Sequence, residues 1–321
     1  MRKIFARLTV LAFGLAVCTV ANAQKYPSSP ITIAVPTPPG GPMDTMMRVL
    51  AAKMTANIGQ NVLVDNKTGG SGIIASQTAL RTPADGYAVA GIYLSHATNV
   101  HMLAKVPYDT LKDFAPVVLV AKGPLFLIVN KDLPVKNVAE LIAYAKANPG
   151  KLNMGLSALG GASHLGAELF KAMTGVDIQM VPYKGTASLL PDILDGRIQV
   201  TIDSYLQYLP YAKTGAIRML GVSSANRIDV DPSIPAIGET VPGYETLAWW
   251  GLAVSSATPP QIVSQLNEMA GRALEDKGVK EKISALGIVP GGGTPADFTK
   301  LIESEIAKWE SVIKNAGLVE K

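Results

Sequence analysis

The chain has 321 residues, 48% hydrophobic and 17% charged, with a formal net charge of +4 and one cysteine. Apolar content near half excludes an intrinsically disordered polymer. A single cysteine excludes a disulfide scaffold and any CxxC zinc or redox motif, and the length suits two domains, each with its own core.

Met1–Ala23 reads as a secretory signal peptide. Arg2, Lys3 and Arg7 form a basic start, Leu8–Val20 is an uncharged apolar run, and Ala21-Asn22-Ala23 is a small-residue cleavage site that puts the mature start at Gln24. The apolar run is shorter than the roughly 20 residues a spanning helix needs. Leu15-Ala16-Val17-Cys18 resembles a lipobox, but bulky Val17 stands where a small residue is wanted, which favours the soluble reading. Cleavage leaves 26 basic against 25 acidic residues, a net charge of +1, so global charge does not argue for a nucleic-acid partner. It also removes Cys18, so stability must come from burial.

From there the chain alternates short apolar runs with amphipathic stretches. Ile31–Val35 is a predicted strand, followed by a Pro/Gly turn and a helix near Met43–Ile58 whose Met46, Met47, Leu50 and Met54 recur at helical spacing. Val62–Val64 is a strand, Gly69–Gly72 a turn, Ile73–Leu80 a helix and Tyr87–Leu94 a strand. Pro116–Val120 and Leu125–Val129 are long apolar strands split at Gly123-Pro124. The rhythm then restarts, with helices near Val138–Ala147, Ser163–Met173, Ala187–Asp195 and Tyr205–Lys213. Strands at Leu152–Leu156, Ile178–Val181, Ile198–Ile202 and Ile217–Val222 lie between them. A Pro-rich connector, Asp229–Pro242, leads to the strand Leu247–Val254 and to helices near Gln261–Leu274, Lys280–Leu286 and Ala296–Asn315.

This pattern predicts an α/β protein with two units, each a mostly parallel sheet flanked by helices. The restart places lobe 1 at residues 24–123 plus 246–321 and lobe 2 at 124–245, with a cleft between them.

Four segments stand where such sheets bind ligands, at strand carboxyl ends. The first, Thr37 to Thr45, contains Pro39-Gly40-Gly41-Pro42-Met43-Asp44. Gly40 and Gly41 permit a tight turn, Pro42 suits a first helical position, and the amides of Gly41, Met43 and Asp44 fall at a helix start that attracts anions. The plain alternative is an ordinary turn capped by Asp44. The second, Ser157 to His164, repeats the design: Gly160, Gly161 and Ala162 are small, Ser163 is a candidate N-cap, and the Ser157 and Ser163 hydroxyls can bind a carboxylate. The third is the loop Ser95–Asn99, where His96 either donates to a carboxylate or serves as a surface or capping residue. His101, five residues on, does not share a helix face with it, which argues against a metal pair. The fourth is Asp203, either a ligand contact or the N-cap of the following helix.

Catalytic templates are absent. The chain has no G-x-S-x-G and no P-loop, and Gly291–Ala296 fits G-x-G-x-x-A only formally, as a turn before a helix. A binding protein without turnover is the leading class. A periplasmic hydrolase or isomerase acting on a small carboxylate is the alternative.

The combined motifs resemble a known family. They are the strand followed by P-x-P-P-G-G-P-x-D, then Asn66-Lys67-Thr68-Gly69-Gly70-Ser71-Gly72, Thr82-Pro83-Ala84-Asp85-Gly86-Tyr87, Gly160–His164 and Val181-Pro182-Tyr183-Lys184-Gly185. Together, and in this order over essentially the whole mature chain, they resemble the Bug-type periplasmic receptors of tripartite tricarboxylate transporters. The resemblance implies a two-lobed type II periplasmic-binding fold that closes like a flytrap on a small organic anion, a di- or aromatic carboxylate, with no cofactor. It implies a monomer whose partners are membrane transporter subunits or a sensor kinase. Thr37, Gly40, Gly41, Met43, Asp44 and Thr45 would hold one carboxylate; Ser157, Gly160, Gly161, Ala162 and Ser163 would contribute from lobe 2, with Ser95, His96 and Asp203 beside them. Relatives often carry Phe and Ala in the first loop, where this chain has Thr37 and Pro38-Pro39. Lys184 reads as a structural or surface lysine.

Overall fold

The computed structural model describes residues 26–228 and 231–319. The segment expected as a leader, Met1–Ala23, with Cys18 and the expected cleavage site, lies outside them. Strand β1 (Ile31–Val35) feeds helix α1 (Pro42–Ile58), which begins with Pro42 after Gly41 and ends at Gly59, whose φ of 71° lets its N–H return to Thr55 O. Met43, Met46, Met47, Leu50 and Met54 line its buried face, as their spacing predicts. Strand β2 (Val62–Asn66), helix α2 (Ile73–Arg81), strand β3 (Ala88–Tyr93), helix α3 (Leu94–Met102) and strand β4 (Phe114–Pro124) follow.

The chain then passes directly into β5 (Phe126–Asn130) of a second sheet. That sheet is completed by β6 (Asn153–Leu156), β7 (Gln179–Pro182), β8 (Val200–Asp203) and β9 (Ile217–Val222). Its helices are α4 (Val138–Ala147), α5 (Ala162–Thr174), α6 (Thr186–Leu194) and α7 (Tyr205–Lys213). The chain returns to the first sheet in β10 (Leu247–Ser255), α8 (Pro260–Leu274), α9 (Lys277–Ser284), β11 (Val289–Gly292) and α10 (Pro295–Asn315). The sheet orders are β11-β4-β10-β3-β1-β2 and β7-β6-β8-β5-β9.

The protein is therefore a two-lobed α/β structure with helices flanking both sheets. The parallel character expected of the sheets holds where helical crossovers build them, in β3-β1-β2 and β7-β6-β8. Elsewhere the pairing is antiparallel: β4, β5, β9 and β10 carry the chain between the lobes, and β11 adds to the edge at β4.

Two further differences have local causes. The segment expected as a loop, Ser95–Asn99, lies inside α3. Every residue from Leu94 to Asn99 is buried, so no polar face marked the helical period. β11 runs into the Gly291–Ala296 turn, further than the very short strand expected before it, and contains Pro290, Gly291 and Gly292.

The crossing strands are joined by Ser223. Its hydroxyl accepts from Leu125 N–H at 2.8 Å and donates to Thr246 O at 2.6 Å, while its backbone pairs with the same two residues. One hydrophobic core runs through both lobes, from Ile92 and Leu94 through Leu127, Leu165 and Phe170 to Trp249, Phe298 and Trp309. Helix α10, about 30 Å long, packs on α3 and β4 and reaches α5 of the second lobe.

Candidate functional site

The first loop leaves the carboxyl end of β1 and is pinned by Asp44. This buried carboxylate accepts from Gly40 N–H (2.9 Å), from Arg48 Nε (3.0 and 3.1 Å) and from Asn66 Nδ2 (2.9 Å). Asn66 sits opposite Val35 in the β1–β2 register and also donates to Thr37 O at 2.9 Å. Burial alone would raise the Asp44 carboxyl. The Arg48 hydrogen bond and charge, with the Gly40 and Asn66 donors, hold it below its ordinary value.

Asp44 is thus committed to the loop, as is the Gly40 amide. Thr45 N–H bonds Gly41 O within the helix, and the Met43 side chain is buried in the core. What the loop offers is the start of α1, whose N-cap Gly41 brings no side-chain cap, and the buried Thr37 hydroxyl, which has no partner.

In the second lobe, β6 and β8 are parallel neighbours, so Ser157 and Asp203 emerge side by side at their carboxyl ends. Ser157 Oγ donates to Asp203 Oδ1 at 2.9 Å. The same oxygen accepts from Ser204 N–H at 2.8 Å, and Tyr208 OH donates to Oδ2 at 3.2 Å. Burial raises the Asp203 carboxyl, opposed by these donors. The capping alternative for Asp203 is not realised: Ser204 is the N-cap of α7, and Asp203 instead orients Ser157. The N-cap of α5 is Gly161, not Ser163, and no side chain caps that helix. Ser163 lies one residue inside it and accepts from Ser157 N–H at 3.2 Å, closing the loop. Gly160 takes φ of 69°, and its N–H donates to His164 Nδ1 at 3.2 Å. Burial drops the His164 imidazole to about 4, so it is neutral and free to accept.

His96 lies on α3, and its buried Nε2 has no partner. Its ring is buried against Tyr108 (centroids 5.6 Å apart) and edge-on to Phe114 (4.8 Å), with Nδ1 3.4 Å from Ser76 Oγ. Burial lowers it to about 3, so it brings no charge to the cleft. Its neighbour Ser95 does face the other lobe. A Cβ placed on Gly160 or Gly161 would lie 3.7 or 3.8 Å from Ser95 Oγ. That hydroxyl is fully buried, with the Tyr93 phenol beside it but no partner in hydrogen-bonding geometry.

Three residues outside the expected set complete the arrangement. Arg48 and Asn66 fix the first loop. Thr98 Oγ1 donates to Gly160 O at 2.7 Å, directly joining the lobes. Had Leu94–Met102 been read as a helix, Ser95, Thr98 and Met102 would have fallen on one face. The Gly69–Gly72 turn also lines this edge: Asn99 Nδ2 donates to Ser71 O at 3.1 Å, and Gly72 fits between Pro36 and Tyr93. Chemically, the site presents uncapped helix starts and neutral hydroxyls from two lobes, which suits an anion. Among the described residues, no group of three His, Cys, Asp or Glu side chains gathers as a metal site.

Residues 46–318 match the family described as Tripartite tricarboxylate transporter family receptor. The chain is 32% identical to the protein BugT of Bordetella pertussis over 99% of its own length and 98% of that protein's. Among solved structures, it is similar to R. palustris Rpa4515 with adipate (41% identity, TM-score 0.86, covering 91% of this chain and 98% of the other). It is also similar to MatC from Rhodopseudomonas palustris with bound malate (29% identity, TM-score 0.82, covering 90% and 100%).

Proposed function

Because the chain belongs to the tripartite tricarboxylate transporter receptor family, whose members are solute-binding receptors and not enzymes, we propose that it captures a small aliphatic dicarboxylate in the periplasm and delivers it to membrane transporter subunits. The observation that carries this reading is the Ser95 hydroxyl, fully buried and unpartnered, set against the uncapped start of α5. A buried polar group without a partner calls for one, and a ligand oxygen beside a helix N-terminus supplies it. Adipate and malate in the related structures support a dicarboxylate. One carboxylate lies at the start of α1 near Thr37, the other between Ser95 and the start of α5. The lobes that close on it comprise residues 24–123 with 246–321 and residues 124–245, and the receptor acts as a monomer. No helix among the described residues is long and apolar enough to cross a membrane.

A helix start contributes up to about 2 kcal/mol to a partly buried anion, whereas micromolar binding needs about 8 kcal/mol. The hydroxyls and the exclusion of water on closure supply the difference. Calorimetry with adipate, malate and a matched monocarboxylate tests the reading. A dicarboxylate binds at micromolar affinity and is recovered intact by mass spectrometry, and Ser95→Ala weakens it about tenfold, the loss of one charge-assisted hydrogen bond. Failure of every dicarboxylate to bind sinks the proposal.

A further inference from the structure

The hydrogen bond from Thr98 to Gly160 does something the ligand site does not require. Thr98 belongs to α3 of one lobe and Gly160 to the β6–α5 loop of the other, 62 residues away; both are buried, and the bond is 2.7 Å long. Gly160 is held from its own side. Its φ of 69° and the bonds from its N–H to His164 Nδ1 and from Gly161 N–H to Ala158 O fix the turn so that the Gly160 carbonyl meets α3. A Cβ on Gly160 would sit 3.1 Å from Met102 Sδ and 3.7 Å from Thr98 Oγ1 and from Ser95 Oγ. Ser95, Thr98 and Met102 therefore form a seat on one face of α3 that accepts glycine in a left-handed turn and little else. The bonds around Ser223, by contrast, tie strands that run continuously between the lobes. The Thr98 bond joins a side chain of one lobe to the main chain of the other away from that junction, beside the contacts α10 makes with both α3 and α5, so it is made when the lobes meet and lost when they part.

We propose that Thr98 is a ligand-independent latch that sets the balance between open and closed receptor, and with it the affinity for every ligand alike. A receptor whose binding-competent state is fractionally populated binds with an apparent affinity scaled by that fraction. The latch acts on the fraction, whereas Ser95 acts on the ligand. A residue that touches the ligand changes the ranking of ligands; a latch changes all of them by the same factor.

The test introduces spin labels at Ile74→Cys and Lys184→Cys, exposed positions on opposite lobes. The only native cysteine, Cys18, lies in the leader. Distance distributions are measured without ligand for the parent, Thr98→Val and Thr98→Ser, with circular dichroism to confirm folding. Thr98→Val keeps the shape, removes the donor and strands the Gly160 carbonyl in the closed form. It shifts the ligand-free population toward longer distances and weakens adipate and malate equally, by about tenfold, through faster dissociation. Thr98→Ser keeps the donor and stays near the parent in both. An unchanged ligand-free distribution in Thr98→Val overturns the latch, as does a loss of affinity that reorders the two ligands. The affinity arm rests on the carboxylate-receptor reading and the ligand-free arm does not, so a parent that binds no dicarboxylate refutes that reading while the distances still decide the latch.

Discussion

Replacing Ser223 with alanine removes one oxygen at the point where the chain crosses twice between the lobes. In the parent, that oxygen, fully buried, satisfies Leu125 N–H at 2.8 Å and Thr246 O at 2.6 Å. Both groups are main-chain atoms beside strand ends, held by their own pairing with Ser223, and the alanine methyl can bond neither. Each buried unsatisfied group costs about 1–3 kcal/mol. The backbone bonds of Ser223 to Leu125 and Thr246 persist and hold the strands in place, which puts the expected loss near the lower bound for two groups, about 2–4 kcal/mol. Urea unfolding followed by tryptophan fluorescence reads it, since Trp249 and Trp250 lie on β10 a few residues beyond Thr246. The shared core through both lobes predicts a single transition, with the midpoint lowered and the slope unchanged. A loss below about 0.5 kcal/mol would show that the junction is not held by this hydroxyl.

His96, buried among aromatic rings and lowered to about 3, stays neutral in the folded protein while the unfolded chain takes up a proton near pH 6.5. Its contribution to stability is complete above pH 6.5 and falls as pH drops from there toward 3, by up to about 1.4 kcal/mol per pH unit. His96→Phe should flatten the stability profile in that window, leaving the smaller slope due to His164; a profile identical to the parent's contradicts the buried neutral assignment. Asp44, held below its ordinary value, contributes stability above the unfolded carboxylate range that disappears as pH falls through its folded value. Asp44→Asn should lose about 1–3 kcal/mol at pH 7, with the gap to the parent narrowing below about pH 4, measured by urea midpoints at both values. A gap that does not depend on pH would mean that the charge on Asp44 is unimportant.

The lobe pattern was legible because hydrophobic periodicity is local. Pro42 behind two glycines announces the start of α1, the Met stripe gives its buried face, and the restart of the strand–helix rhythm after Gly123-Pro124 marks the passage into the second sheet. The glycine turns at Gly40–Gly41 and Gly160–Gly161 could be placed at strand ends for the same reason. Side-chain partnerships could not, because their partners lie far along the chain. Asp44 could be read as a cap of its own turn, but not as the partner of Arg48 and of Asn66, 22 residues on. The rings of Tyr108 and Phe114 that pack around His96 lie more than ten residues on. Asp203 turned out to hold Ser157, 46 residues earlier in the chain. Helix α3 hid because Leu94–Asn99 are all buried, and with it went Thr98. Local periods tell which backbone segments form and which face is apolar; only the packing of one lobe on the other determines which polar atoms are left without a partner, and those are the atoms that meet a ligand.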